Sequence, residues 1–236
     1  MTVISLVDAT TFVGGYDLTT DLNTVNLEVT ADELDATTFG SGGYRKRVAG
    51  LRDVTLSHQG LQQFADPDST LFADLAAERV FTCSPDGDDG SVSYSFKARG
   101  FAYSPLSGAV GDLAGFSGSA MGSDGVGVVR GRLLLPKSTL DDAHSGTGVQ
   151  LGDVGAAERL YTAIHVFTAG TTADVVVESD DNGSFSSATE RSNTTVTTTG
   201  ATWVTAVSGA ITDEHWRVRL ENVTGEFVLA VAVAIQ

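Results

Sequence analysis

Apolar residues recur at every second position through most of this chain. That spacing puts one face of a pleated strand against a core and leaves the other outside; a helix would need a period near 3.6. In residues 22–30, Val25, Leu27 and Val29 alternate with Thr24, Asn26 and Glu28. Val54, Leu56 and His58 alternate with Thr55 and Ser57. The clearest case is 91–99, with Val92, Tyr94, Phe96 and Ala98 on one face and Ser91, Ser93, Ser95, Lys97 and Arg99 on the other. This segment is expected to pair antiparallel with 79–84 across the turn Pro85-Asp-Gly-Asp-Asp-Gly90. Two Gly-rich strands, about 111–121 and 126–135, are expected to flank Gly122-Ser-Asp-Gly125.

Further strands are read at 159–167, 173–179, 194–199, 202–207, 215–221 and 226–235, with turns such as Asp181-Asn-Gly183 between them. The last of these is apolar on both faces and is expected to be a central, buried strand. Only one segment has helical spacing. Leu71, Phe72, Leu75 and Ala76 fall on one helical face of 69–77, behind Asp66-Pro67-Asp68 as N-terminal capping residues. The fold class is therefore all-β with one short helix, and the helix-free spacing of the second half is that of an antiparallel β-sandwich.

All four prolines lie at or before Pro136, and both tryptophans, Trp203 and Trp216, lie after it. The polar, Gly/Ser/Thr-rich run from Pro136 to Gly148 reads as a linker. The expected organisation is a domain over 1–136, a linker over 137–148 and a β-sandwich over 149–236. With 42% hydrophobic residues and 19% charged ones, there is enough apolar side-chain surface for a packed core. No run of eighteen apolar residues and no basic-then-apolar leader is visible, so neither membrane insertion nor a signal peptide is expected. A single cysteine, Cys83, leaves no intrachain disulfide and no multi-cysteine metal site.

The net charge of −16 argues against a protein that grips nucleic-acid phosphates, because such binding needs clustered Lys and Arg. Residues 1–136 carry 9 basic and 17 acidic groups and the remainder 5 and 13, so each half nets −8 and the acidity belongs to the whole surface. There are 21 Asp to 9 Glu, and three lysines beside eleven arginines. Asp-rich, Lys-poor composition resembles that of proteins from salt-loving organisms, where molar salt screens self-repulsion.

Catalytic constellations are scarce. His58, His144, His165 and His215 stand apart, with no HExxH and no Gly-x-Ser-x-Gly elbow. His58 and His165 sit within strand patterns as structural residues, and Cys83 reads as a small buried hydrophobe. The acidic turns Asp86-Gly-Asp-Asp-Gly90 and Asp180-Asp-Asn-Gly-Ser184 lack the closing Glu of a calcium loop and read as solvated turns. No catalytic residue, metal or cofactor is expected. Asn-x-Ser/Thr triplets occur at Asn182, Asn193 and Asn222, as chance allows in a Thr-rich chain. Trp203, Trp216, Tyr161 and Asp213 are candidates for an aromatic and acidic sugar platform, with core packing the alternative for both tryptophans.

One basic cluster, Tyr44-Arg-Lys-Arg47, interrupts the acidic chain. Positive groups on a molecule of this charge find acidic surface most readily on another copy of it. The cluster lies in residues 31–50, read as a twenty-residue loop between two strands. Loops of that length in a compact β domain are usually functional or disordered.

The order and spacing of several segments in residues 11–135 carry a resemblance. They are Gly15-Tyr-Asp-Leu18, the strand at 22–30, Ala31-Asp-Glu-Leu-Asp-Ala-Thr-Thr-Phe-Gly40, Tyr44-Arg-Lys-Arg-Val-Ala-Gly50, Leu51-Arg-Asp-Val54 and the helix at 71–77. This block resembles the tail tube (major tail) proteins of long-tailed bacterial and archaeal viruses; Gly14-Gly15 stands where Asp-Gly is more usual. The resemblance implies a β-sandwich or barrel whose copies form hexameric rings, stacked into a conduit through which DNA passes without specific binding. It implies contacts with other tail proteins, residence in the virion tail and assembly in the host cytoplasm. Thr37, Thr38, Phe39, Tyr44, Arg45 and Arg47 would then be inter-subunit residues, Phe39 and Tyr44 foremost. The C-terminal sandwich would be an outward decoration. The competing expectation is a capsid- or tail-decorating adhesion protein that binds host-surface glycans through that sandwich.

Overall fold

The computed structural model describes residues 6–63 and 66–236. Seventeen strands follow one another among these residues: β1 (Thr10–Val13), β2 (Tyr16–Asp17), β3 (Leu22–Asp35), β4 (Arg47–Leu61), β5 (Glu78–Ser84) and β6 (Val92–Ser107). Then come β7 (Gly115–Gly122), β8 (Val129–Leu140), β9 (His144–Ser145), β10 (Val149–Gln150), β11 (Arg159–Thr168) and β12 (Thr172–Asp180). The chain closes with β13 (Thr189–Val196), β14 (Gly200–Trp203), β15 (Val207–Ser208), β16 (His215–Thr224) and β17 (Phe227–Ile235). One α-helix, α1 (Asp66–Ala73), and a 3-10 turn at Phe39–Ser41 complete the set. The all-β class with a single short helix holds.

The chain forms two compact units, and their division differs from the one read at 136–148. The first contains the described residues up to Asp21, then Arg79–Lys97 and Val129–Gln236; the second contains Leu22–Glu78 and Ala98–Val128. Half of the polar run taken for a linker is strand. Lys137–Leu140 end β8, where Ser138, Thr139 and Leu140 pair with Leu229, Val228 and Phe227 of β17, and His144–Ser145 pair with β16. Polar residues serve as well as apolar ones there, because pairing is made by backbone groups.

In the first unit a five-stranded sheet, ordered β10-β16-β12-β13 with β9 also on β16, faces a sheet containing β14-β11-β17-β8. The expected central last strand is found: β17 runs antiparallel between β11 and β8. Its Leu229, Val231 and Val233 enter the main core with Leu160, Ile164, Val177, Trp216 and Val218. Its Ala230 and Ala232 meet a smaller cluster with Phe12 and Leu133 on the other face. Small alanines on that face let the sheet roll, and β6, β5, β1 and β2 follow β8 in order.

The roll brings the β1–β2 turn against the far strands. A Cβ on Gly15 would lie 2.6 Å from the Gly200 nitrogen and 3.0 Å from the Val166 carbonyl, so only glycine fits. Gly14 beside it has φ +58°, the left-handed region. The Gly-Gly pair is thus a packing requirement. Inside the roll, His165 Nδ1 lies 2.8 Å from the Gly14 carbonyl and Nε2 2.8 Å from Thr82 Oγ1, which is 2.9 Å from Ser95 Oγ. A carbonyl only accepts, so Nδ1 carries the proton, Thr82 donates to Nε2 and Ser95 donates to Thr82.

The outward face of the five-stranded sheet is held by charge. Glu178 is buried and pairs with Arg217 and with Arg219 Nε at 3.2 Å, while Arg219 also pairs with Glu221. Asp180, expected in a solvated turn, is buried; it accepts from Ser187 N at 2.8 Å and Asn182 N at 3.3 Å, and these bonds hold its carboxyl below its usual pKa.

The second unit is an antiparallel sheet ordered β3, β4, β7 and the later half of β6. One face carries Val54, Leu56, His58, Phe116 and Ala120, all buried, and the other Thr55, Ser57, Gln59, Ser117 and Ser119. The helix begins three residues earlier than expected, which puts Pro67 in its first turn, where a missing N–H costs nothing. Tyr103 hydroxyl donates to Asp68 Oδ1 at 2.6 Å, and Gln62 Nε2 reaches the same oxygen at 3.1 Å and the Pro105 carbonyl at 2.8 Å. Burial and the Asp68 contact push the Tyr103 pKa up to about 12. At the other end Ala76 N donates to the Gly100 carbonyl, so α1 is fastened to β6 through both termini.

Candidate assembly surface

Leu22–Asp35 and Arg47–Leu61 pair along nearly their whole lengths, from Leu22↔Gly60 to Asp35↔Arg47. β7 supports β4 only from Thr55 to Leu61. Beyond that point β3 and β4 form a two-stranded ribbon with no third strand among the described residues. Residues 28–53 are exposed apart from half-buried Ser41 and Gly50. The expected twenty-residue loop is therefore mostly ribbon, and its irregular part shrinks to residues 36–46. A β-ribbon of this kind is marginally stable in water without something to cover it.

The tip is built by local hydrogen bonds. The Thr37 hydroxyl and its N–H, which donates to Asp35 Oδ1 at 2.9 Å, lower the Asp35 pKa, and Lys46 N donates to Thr37 Oγ1 at 2.9 Å. Thr38 N donates to Ser41 Oγ at 3.0 Å, Ser41 N returns to the Thr38 carbonyl at 2.9 Å, and Tyr44 N reaches the Ser41 carbonyl at 3.2 Å. Thr37 and Thr38 thus spend their polar groups on shaping the turn. Arg47 forms an ion pair with Glu33 across the ribbon. Phe39 and Tyr44 emerge fully into solvent, at 112% and 82% exposure. Arg45, Lys46 and Arg52 form no ion pair among the described residues. The six residues singled out in the sequence lie together at this tip, in two roles: Thr37, Thr38 and Arg47 build it, while Phe39, Tyr44 and Arg45 are presented by it.

The sequence reading missed a second feature of the same unit. Phe72 and Leu75, read as lying on one face of a helix over 69–77, are 68% and 48% exposed, and the helix ends at Ala73, before Leu75. Leu75 bridges to Gly100, the residue before Phe101, which is also exposed. The β6–β7 loop adds Leu106, Val110 and Leu113. Sixteen large hydrophobic side chains are exposed among the described residues, and fourteen belong to the second unit. The signal was present as an apolar helical stripe at 71, 72, 75 and 76, but a stripe does not say whether its cover comes from the same chain.

The sugar platform is not assembled. Trp216 is fully buried and donates Nε1–H to the Gly152 carbonyl at 2.8 Å. Asp213 accepts from Ser179 Oγ and Arg191 Nη2, both at 2.7 Å. Only Tyr161 and Trp203 are adjacent, their rings 6.0 Å apart. Core packing and ion pairing claimed the other two. Cys83 is buried, and burial pushes its thiol up to about 12. No helix among the described residues is long and apolar enough to cross a membrane.

No protein-family model matches the sequence, and no curated protein matches it. Matches occur among solved structures. The chain is similar to a protein in the virion of a native gene transfer agent particle at 19% identity and TM-score 0.40, over 50% of this chain and 92% of that one. It is similar to a protein in the tail of the empty particle, which has C6 symmetry, at 19% identity and TM-score 0.37, over 44% and 78%. It is also similar to SPP1 Dit, a hub adsorption protein of phages infecting Gram-positive bacteria, at 12% identity and TM-score 0.36, over 97% and 99%.

Proposed function

We propose that this chain is a structural protein of a viral tail, whose copies assemble into hexameric rings stacked as a hollow conduit for genome passage during ejection. The observation that carries self-assembly is the concentration of exposed apolar side chains on the second unit, some on a ribbon that lacks cover and the others around α1, β6 and the β6–β7 loop. A large apolar residue left in water forgoes roughly 1.5–3 kcal/mol of burial, and contiguous exposed patches mark interaction sites. The sequence resemblance in residues 11–135 supplies the class of assembly. Net charge fits the cargo: acidic walls repel phosphate, so DNA passes without being held. The protein on this reading resides in the virion tail, is put together in the host cytoplasm and also contacts other tail proteins.

Electron microscopy of the purified, negatively stained protein tests the reading. Hollow filaments or six-fold rings are expected. Monodisperse monomers at every salt concentration up to several molar would overturn it.

A further inference from the structure

Of the five asparagines in the chain, Asn182 alone has glycine as its successor; Asn23, Asn26, Asn193 and Asn222 precede Thr24, Leu27, Thr194 and Val223. The Asn182–Gly183 pair lies between β12 and β13, and Gly183 is exposed. The Gly183 N–H makes no hydrogen bond among the described residues. The carboxamide that precedes it is fully engaged. Asn182 Oδ1 accepts from Ser184 N at 3.0 Å and from Ser184 Oγ, while Nδ2 donates to Asp180 Oδ1 at 3.1 Å and to Asp181 Oδ1. Two donors on one oxygen draw electrons from Cγ and stabilise negative charge that develops on that oxygen. The free nitrogen belongs to a residue with no Cβ to hinder its approach to this carbon.

We propose that Asn182 is a site of intramolecular deamidation. The exposed Gly183 N–H gives up its proton to solvent, and the nitrogen attacks Asn182 Cγ. Negative charge collects on Oδ1, under the two Ser184 donors. The Cγ–Nδ2 bond then breaks, and Nδ2 takes up one proton and leaves as ammonia, which closes a five-membered cyclic imide. One water opens the ring at either carbonyl, so the product is aspartate or isoaspartate; water is the only co-reactant. The product sets a third carboxylate beside Asp180 and Asp181 and removes a donor from each. Asp180 is 2% exposed, so it has no solvent to replace the lost bond. The same turn carries Phe185, whose ring lies 4.3 Å from the Arg217 guanidinium, so deamidation loosens that contact on the outward face of the five-stranded sheet.

Peptide mapping of the folded protein held at mildly alkaline pH tests the site. A gain of about 1 Da is expected in the peptide containing Asn182, split between aspartate and isoaspartate, at a rate that rises with pH. It should proceed at least about tenfold faster than at Asn193 or Asn222, where β-branched Thr194 and Val223 crowd the attacking nitrogen. Gly183→Ala should slow it about tenfold. A Cβ at Gly183 meets only the His215 ring, at 3.4 Å, so that variant keeps its fold. Ser184→Ala should slow the reaction severalfold in the folded protein and leave its rate in urea unchanged. If Asn182 stays intact in the folded protein while it deamidates in urea, the turn holds the carboxamide away from Gly183 and the proposal fails. Equal gains at all five asparagines would also overturn it, because they would come from unfolded chain.

Discussion

His58 and His165 meet burial in opposite ways. His165 is fully buried, but both its nitrogens are occupied by the Ser95–Thr82–His165–Gly14 chain of hydrogen bonds. His58 is 5% exposed and neither nitrogen has a hydrogen-bond partner among the described residues; it sits opposite Gly118, where a Cβ would come within 2.6 Å of Nε2, with the Phe116 ring 6.2 Å away. Burial lowers both to about pKa 4, from 6.5. The native state therefore keeps both neutral down to about pH 4, whereas the unfolded chain takes up protons from about 6.5. Unfolding binds more protons throughout that window, so stability is full above pH 6.5 and declines as pH falls to about 4. Each histidine contributes roughly 3 kcal/mol to this decline. Replacing the orphan separates its two costs. An unsatisfied buried polar group costs about 1–3 kcal/mol, so His58→Leu, close in volume, should raise the urea midpoint at pH 7. The same variant should show a shallower loss of stability from pH 6.5 to 4. A lower midpoint at pH 7 with an unchanged acid slope would mean that His58 is partnered in solution.

At the scale of elements, the ribbon separates what the sequence could reveal from what it could not. Val25 and Leu27, half-buried opposite His58 and Leu56, alternate with exposed Thr24 and Asn26, and that regularity was legible; it runs on in the sequence to Val29, which is exposed. The continuation from Ala31 to Asp35 carries no such alternation, since neither of its faces is covered, yet its backbone pairs in register with Arg47, Val48 and Ala49. Pattern reports burial, and this stretch has none within its own chain. The same physics misplaced α1: Phe72 and Leu75 have the spacing of a core face but remain exposed. In the first unit the apolar register of β17 announced a central strand, whereas the partners at 137–145 are long-range pairings through backbone groups that leave no side-chain signature. The tip residues were legible for another reason, because cations stand out in an acidic chain. Amide hydrogen exchange gives this account a consequence. Opening of a two-stranded ribbon should cost little in the monomer, so amides of residues 30–35 and 47–53 should exchange orders of magnitude faster than those of β17. On assembly they should become protected. Fast exchange that persists in assembled material would leave the ribbon uncovered and remove it from the interface.

For the whole molecule, charge and apolar surface pull assembly in opposite directions, and salt decides between them. The second unit holds eleven acidic and five basic groups, the first nineteen and nine, so every approach between copies is repulsive at long range. The screening length falls from about 10 Å at 0.1 M salt to about 3 Å at 1 M. Screening at 1 M removes most of the repulsion between whole surfaces, while contacts made at hydrogen-bond distance lose less. Burial of Phe39, Tyr44 and Phe72 is not weakened by salt, and sulfate strengthens it by exclusion from the apolar surface. Light scattering at fixed protein concentration should therefore rise steeply between about 0.1 and 1 M sodium chloride and then level off, with sulfate reaching the plateau at lower concentration. Replacing Arg45 and Arg52 by Glu takes the net charge from −16 to about −20 and should displace the same rise to higher salt, because there is more repulsion to screen. A monotonic fall of scattering with salt would mean that cation–carboxylate pairs, not apolar burial, carry the interface. In that case the net charge of −16 would be a property of the outer surface with no part in controlling assembly.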